Sequence, residues 1–218
     1  DGMTFSFVQR PVQWGNFRIS YTYSKAMDDV GEFFFSAPLD NGNIHQDWSR
    51  SDDDQRHRLV FDGSIHSATG PAHTVWARLS HGFQLSTLLQ YYSALPFNIV
   101  TGVSNVQLTT SRPCPGLAAT SANCTIANMI GRNAGMGFDF FNVNTRLSRT
   151  FSLSERLRLQ TIAEAFNVLN HRNNQVPNTR FGSGVYPTSP VTTPTPGFGG
   201  PTAVSDPRQI QLALRRSF

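Results

Sequence analysis

The chain has 218 residues, a formal net charge of +4 and only 15% charged residues, against roughly 25% in ordinary soluble domains. Its basic residues are nearly all Arg and form no patch, which argues against a contiguous nucleic-acid surface. No apolar run approaches the roughly 20 residues of a membrane helix, whereas a transmembrane β-barrel stays open, because its outward residues alternate with polar inward ones.

In chain order, "MTFSFV" opens the chain as a strand. "WGNFRISYTYSK" sets Phe17, Ile19, Tyr21 and Tyr23 against Asn16, Arg18, Ser20 and Thr22. "RHRLVFDGSIH" sets Leu59, Phe61 and Ile65 against Arg58, Asp62, Ser64 and His66, with Val60 breaking the polarity. "GFQLSTLLQYYS" sets Phe83, Leu85, Leu89 and Tyr91 against Gln84, Ser86 and Gln90. "FFNVNTRLSRTF" sets Phe141, Val143, Leu147 and Phe151 against Asn142, Asn144, Arg146 and Ser148. "RLRLQTIAEAFNVLN" sets Leu157, Leu159, Ala163, Ala165 and Leu169 against Arg156, Arg158, Gln160 and Glu164. The ending "DPRQIQLALRRSF" puts Ile210, Leu212, Leu214 and Phe218 on one face, with Arg216 as that face's one charge. Such period-two segments are longer than the usual 5–6 residues of a soluble strand. They suit the roughly 9–11 residues of a tilted membrane strand.

The connections alternate in length. "RPVQ" (10–13) and "SLSE" (152–155) read as tight turns, and 69–81 as a somewhat longer link, while polar loops occupy roughly 26–55, 101–137 and 171–206. The predicted fold is therefore all-β: an antiparallel meander of about seven long strands, a partial transmembrane β-barrel with short periplasmic turns and long extracellular loops. Tyr21, Tyr23, Tyr91 and Tyr92 fall towards the outer strand ends and Phe151 and Phe218 towards the inner ones, as aromatic girdles do. Seven strands are too few for a closed bacterial barrel, and an open edge in lipid leaves backbone groups unpaired. The expectation is a fragment whose remaining strands lie elsewhere.

Candidate chemistry is sparse. Cys114 and Cys124 read as a loop disulfide of an oxidising compartment, with two free thiols as the alternative. Asp52, Asp53 and Asp54, in "DDDQRHR", could hold a hard cation, but they lack calcium-loop spacing; the plainer reading is a solvated loop feeding Arg–Asp pairs across strands. His57 falls on the opposite strand face from Asp62 and Ser64, so no catalytic triad forms. Arg146, Arg156, Arg158, Gln160 and Glu164 would line the lumen. "PTSPVTTPTPGFGGP" (187–201) reads as a mobile loop. No cofactor is called for, and no enzyme activity is expected.

Together, "YTYSKAMDD", "DDDQRHRLVFDG", "GFQLSTLLQYYSALPFNIVTG", "FFNVNTRLSRTFSLSERLRLQTIAEAFNVLNH" and "DPRQIQLALRRSF" resemble the carboxy-terminal barrel of TonB-dependent outer-membrane receptors. The likeness is greatest to the Oar-like branch of soil bacteria such as Acidobacteria. It implies that residues 1–218 are the last part of a larger barrel in the outer membrane of a Gram-negative cell. The amino-terminal strands and plug would be missing from the chain. It also implies energised uptake of a large solute, contact with the TonB complex through the missing plug, and recognition of Ile210, Leu212, Leu214 and Phe218 by the barrel-assembly machinery. Two other readings stand beside it: a structural or adhesion barrel whose loops bind partners, and a secreted carbohydrate-binding β-sandwich.

Overall fold

A computed structural model of the chain describes residues 1–31, 38–68, 74–103, 112–154, 157–193 and 195–217. Seven long strands form one antiparallel sheet: β1 (Gly2–Val12), β2 (Gly15–Ser24), β3 (His57–His66), β4 (Phe83–Tyr92), β5 (Phe140–Ser152), β6 (Arg158–Phe166) and β7 (Gln209–Ser217). Each strand pairs with its sequence neighbour, so the sheet is a pure meander whose two edges, β1 and β7, do not meet. Three two-stranded ladders lie outside it, all in the long connections. Among the described residues no second large sheet packs against the first, as a sandwich requires.

The register sorts the side chains into two faces. Along one row Phe7 lies opposite Ile19, Ile19 opposite Phe61, Phe61 opposite Leu89, and Leu89 opposite Val143. A second row runs Ile65, Leu85, Leu147, Ala163 and Leu212. The rows are apolar because the alternation of each strand is kept in phase with the next, and a slip of one residue would mix the faces. The opposite face carries Arg18 against Asp62, Ser64 against Ser86, Ser86 against Arg146, and Arg146 against Glu164. Gly63 fits the apolar rows by its lack of a side chain: a Cβ there would lie 2.8 Å from that of Phe17. The rings of Phe7, Phe17 and Phe61 follow one another across β1, β2 and β3, with centroids 5.7 and 6.2 Å apart.

All short connections lie at one end of the sheet and all long loops at the other. The first turn is tighter than "RPVQ" suggests, because β1 continues to Val12 and β2 starts at Gly15. The β3–β4 link holds an unforeseen helix, Val75–Ser80, where Thr74 accepts the Ala77 amide as an N-cap. Gly82, at φ +80°, then turns the chain into β4 so closely that a Cβ would meet the Thr150 carbonyl at 2.6 Å. β6 stops at Phe166, short of the predicted Leu169. Asn167 (φ 49°) and Asn170 (φ 53°) adopt left-handed conformations that Asn tolerates better than most residues.

The buried core sits in the loops rather than in the sheet. Ala94, Ile99, Cys114, Ala119, Cys124 and Phe181 are its buried apolar members among the described residues. Phe181 packs edge-on to Tyr186 and Phe198, at 5.1 and 5.3 Å between centroids, and Phe198 meets Phe97 at 6.4 Å. Phe198 belongs to the stretch 187–201 that composition marked as mobile. Its half-buried ring packs against Phe181 and Phe97, and Pro201–Val204 pairs with Asn174–Pro177.

Candidate functional site

The polar sheet face and the loop layer above it are the two places where chemistry could occur. On the sheet, Arg18 donates from Nε to Asp62 at 2.8 Å, and Arg146 lies 3.5 Å from Glu164, each pair bridging neighbouring strands. Gln160 donates to Ser148 at 3.4 Å, and Ser64 donates to Asn16 at 2.8 Å. Arg158 shares this face, opposite Ser152 and Ser217. Arg156 lies outside the described residues. Burial of an unpaired charge is costly, and these pairings leave the face polar but electrically balanced around Arg146, Glu164, Arg18 and Asp62.

A cavity of about 410 Å³ opens on this face, walled by Asp62, Ser64, Asn144, Arg146, Glu164 and Phe166 among others. A second, of about 280 Å³, lies under the third long loop and is walled by Phe140, Asn142, Asn144, Phe166, Ser205 and Asp206 among others. Asn144 and Phe166 line both, so the two cavities are neighbours on the polar face. Tyr92, a predicted girdle residue, faces this polar side. Its ring stacks on Phe140 at 5.6 Å, and the Arg58 guanidinium sits 5.1 Å from its centre.

The first long loop is tied down by its carboxylates. Asp54 is buried and accepts from the Ala26 amide at 2.8 Å and from Arg56 Nε at 2.7 Å, with Arg50 Nε 3.5 Å away. Burial alone would raise its pKa, but the Ala26 amide, Arg56 and Arg50 together outweigh it and hold the carboxyl below its ordinary range. The same bond to Asp54 raises the pKa of Arg56. Asp52 instead accepts from Asn133 at 2.7 Å and faces Arg132 at 3.6 Å, while Asp53 is exposed. The three carboxylates are thus drawn to different partners. Among the described residues no cluster of three His, Cys, Asp or Glu could hold a metal ion.

Sequence reasoning missed the pairs that join the loops. Buried Asp47 meets buried Arg112, and Asp28 meets buried Arg132, each linking the first loop to the second. Burial lowers the pKa of Arg132. The second and third loops join through bridges between Val100 and Arg180, Pro115 and Tyr186, and Ala118 and Val185. A disulfide closes the second loop between Cys114 and Cys124, whose Cα atoms are 5.6 Å apart. Asn173 binds Phe141 with both arms: its Oδ1 accepts the amide and its Nδ2 donates to the carbonyl, each at 2.8 Å. Apart from the disulfide, the partners are 32 to 104 residues apart in sequence, so only the fold brings them together.

His57 lies on the apolar face, where its Nδ1 and the Tyr21 hydroxyl share a 2.8 Å hydrogen bond, while Asp62 and Ser64 point to the polar side. Ile210, Leu212 and Leu214 form an exposed apolar row on β7, with Leu212 80% exposed. Phe218 lies outside the described residues. Arg149, also on the apolar face, places its guanidinium 4.7 Å from the ring centres of both Phe83 and Phe151.

A single meander with one lipid-compatible face, one polar face and all its long loops at one end is the architecture of an outer-membrane β-barrel. A family model for the outer membrane beta barrel domain matches residues 1–211, and the chain belongs to that family. No curated protein and no solved structure matches it. The protein is placed in the outer membrane, with its apolar rows towards lipid and its polar face towards the lumen.

Proposed function

We propose that residues 1–218 are the carboxy-terminal part of the barrel of a TonB-dependent receptor, which takes up a large solute with energy delivered through TonB. The observation that carries this reading is the open sheet: β1 and β7 are both edges, and their free backbone groups need partners in lipid. Further strands of the same protein would supply those partners, and a plug would rest against the Arg146–Glu164 ladder of the lumen face. The resemblance of five separate segments, in one order along the chain, supports the receptor type. The whole protein performs no covalent chemistry in this reading; substrate contacts fall on the long loops and the lumen face.

The test is solute uptake by cells carrying the full-length gene, with and without TonB energisation. Uptake that is lost with TonB supports the proposal, and a reading frame without plug or TonB box refutes it. The barrel-assembly machinery would read Ile210, Leu212, Leu214 and Phe218. Deleting Phe218 is expected to lower the amount of heat-modifiable protein in the outer membrane, and unchanged assembly would refute that role.

A further inference from the structure

We infer that the lipid-facing side of the sheet, at its short-link end, holds a binding site for an anionic phospholipid headgroup, with Arg149 and Arg216 as its cationic groups. The inference goes beyond transport: it rests on the membrane placement of the sheet and holds whatever the barrel carries.

The register builds the site. Two neighbouring rows of the apolar face lie next to the short links. One runs Phe83, Arg149, Thr161 and Leu214 across β4 to β7, and the next runs Phe151, Leu159 and Arg216 across β5 to β7. Arg149 and Arg216 thus stand two strands and two residues apart, with Cα atoms separated by about 12 Å. Leu159 lies between them, and side chains as long as Arg can close on one headgroup across that gap.

The rings present Arg149. Its guanidinium is 4.7 Å from the centres of both Phe83 and Phe151, and Phe151 is nearer the end of β5, so the head leans towards the membrane surface. Cation–π contacts orient a guanidinium without neutralising it, and its in-plane N–H groups match the oxygens of a phosphate. Arg216 is exposed at the end of β7. On a face turned to lipid, the anions that the membrane itself brings are headgroup phosphates. A zwitterionic headgroup adds an ammonium, which two guanidiniums repel and the neighbouring Phe83, Leu159 and Leu214 do not hold. An anionic headgroup carries no such penalty.

The short links supply an independent observation. The helix Val75–Ser80, which leads into β4, leaves Val75, Trp76 and Leu79 exposed, Trp76 at 81%. Spacings of three and four residues put these side chains on one helix face. Trp14 and Leu153, in the other two short links, are also exposed. Large apolar side chains held out at every short link, two of them Trp, suit the boundary between headgroups and acyl chains. The strand ends beside them, with Arg149 and Arg216, then stand at the level of the phosphates of the periplasmic leaflet.

The experiment is native mass spectrometry of the full-length protein in detergent, titrated with palmitoyl-oleoyl phosphatidylglycerol or with the matching phosphatidylethanolamine. Phosphatidylglycerol is expected to bind at least about tenfold more tightly, equivalent to about 1.4 kcal/mol, with a preference that shrinks as salt rises. Arg149→Gln and Arg216→Gln should each weaken phosphatidylglycerol binding about fivefold, the scale of one arginine near an anionic lipid surface. Binding of phosphatidylethanolamine should stay within about twofold. Arg58→Gln, on the lumen face beside Tyr92, should change neither lipid. Should Arg149→Gln lose its heat-modifiable migration, Arg216→Gln, at an exposed strand end, decides the matter alone. Equal binding of the two lipids overturns the inference, as do arginine variants with the selectivity of the parent or an equal loss in Arg58→Gln. Lipid selectivity without TonB-dependent uptake refutes the transport reading alone; uptake without lipid selectivity refutes the lipid site alone.

Discussion

Replacing Leu212 by Arg tests the two-faced sheet most directly. β7 runs from Gln209 to Ser217, so Ala213 is its central residue and Leu212 its immediate neighbour. The two lie about 3.4 Å apart along the strand, hence at nearly the same depth, yet they point to opposite faces. Leu212 continues the apolar row through Ala163, Leu147 and Leu85; Ala213 lies opposite Ile162 on the polar face. A guanidinium on the lipid side near the midplane costs about 2–4 kcal/mol, and near the interface only about 0–1. The native Arg216 illustrates the cheap case, four residues nearer the strand end than Leu212. Leu212→Arg is therefore expected to destabilise the full-length barrel by about 2–4 kcal/mol and Ala213→Arg by less than about 1. Reversible denaturant titration in lipid vesicles, followed by tryptophan fluorescence, reads the difference. Equal costs for the two variants, or a larger one for Ala213→Arg, would refute the assignment of faces.

Asn173→Ala would leave the Phe141 amide and carbonyl unpaired beside a residue only 2% exposed. The expected loss is about 2–4 kcal/mol, and Asn173→Asp, which keeps the accepting arm, should lose about half; a change below about 0.5 kcal/mol in the same titration would count against the bond. Asp54 has a folded pKa below its unfolded one, so its stabilisation is complete above the unfolded value of about 4 and fades as pH falls through the lower folded value. The stability gap between the parent and Asp54→Asn should stay flat from about pH 7 to pH 5 and close only in stronger acid; a gap that closes near neutrality would contradict the pairing with Arg56 and Arg50. Reducing Cys114–Cys124 removes a cross-link worth about 3 kcal/mol for a loop this short. Limited proteolysis should then cut the second loop faster while the sheet stays resistant, and unchanged cleavage would show that loop packing suffices without it.

The strands were legible because lipid and lumen impose opposite demands on successive residues. Phe17-Arg18-Ile19-Ser20-Tyr21 and Ile210-Gln211-Leu212 each state that demand in five residues or fewer. Their order and the segregation of long from short links then leave only a meander. The errors came where alternation continued without a strand. Leu169 keeps the parity of the apolar face of β6, but the backbone has already turned at Asn167, whose side chain holds the His171 amide and carbonyl. The loop core was illegible for a different reason. Phe198 sits among Pro, Thr and Gly and looks dispensable, and nothing local in Asp28 or Asp47 names Arg132 or Arg112 as partner. The lumen face was half visible. Arg146 and Glu164 were placed on the lumen by parity, but the exposure of Phe166 on a polar face appears only once its neighbours are in register.

The loop core also bears on how such a surface can change over time. Asp28, Asp47 and Asp52 come from one loop, and Arg112 and Arg132 from the next. Phe181 and Tyr186 come from the third, and its Tyr186 is bridged to Pro115 of the second. Transplanting the first or the second loop alone would leave buried arginines without their carboxylates, or the reverse, at a cost of about 3–5 kcal/mol for each broken buried pair, and transplanting the third alone would remove the Tyr186 bridge to Pro115. The three loops therefore behave as a single heritable cassette: recombination that moves them together keeps the fold, and recombination within them breaks it.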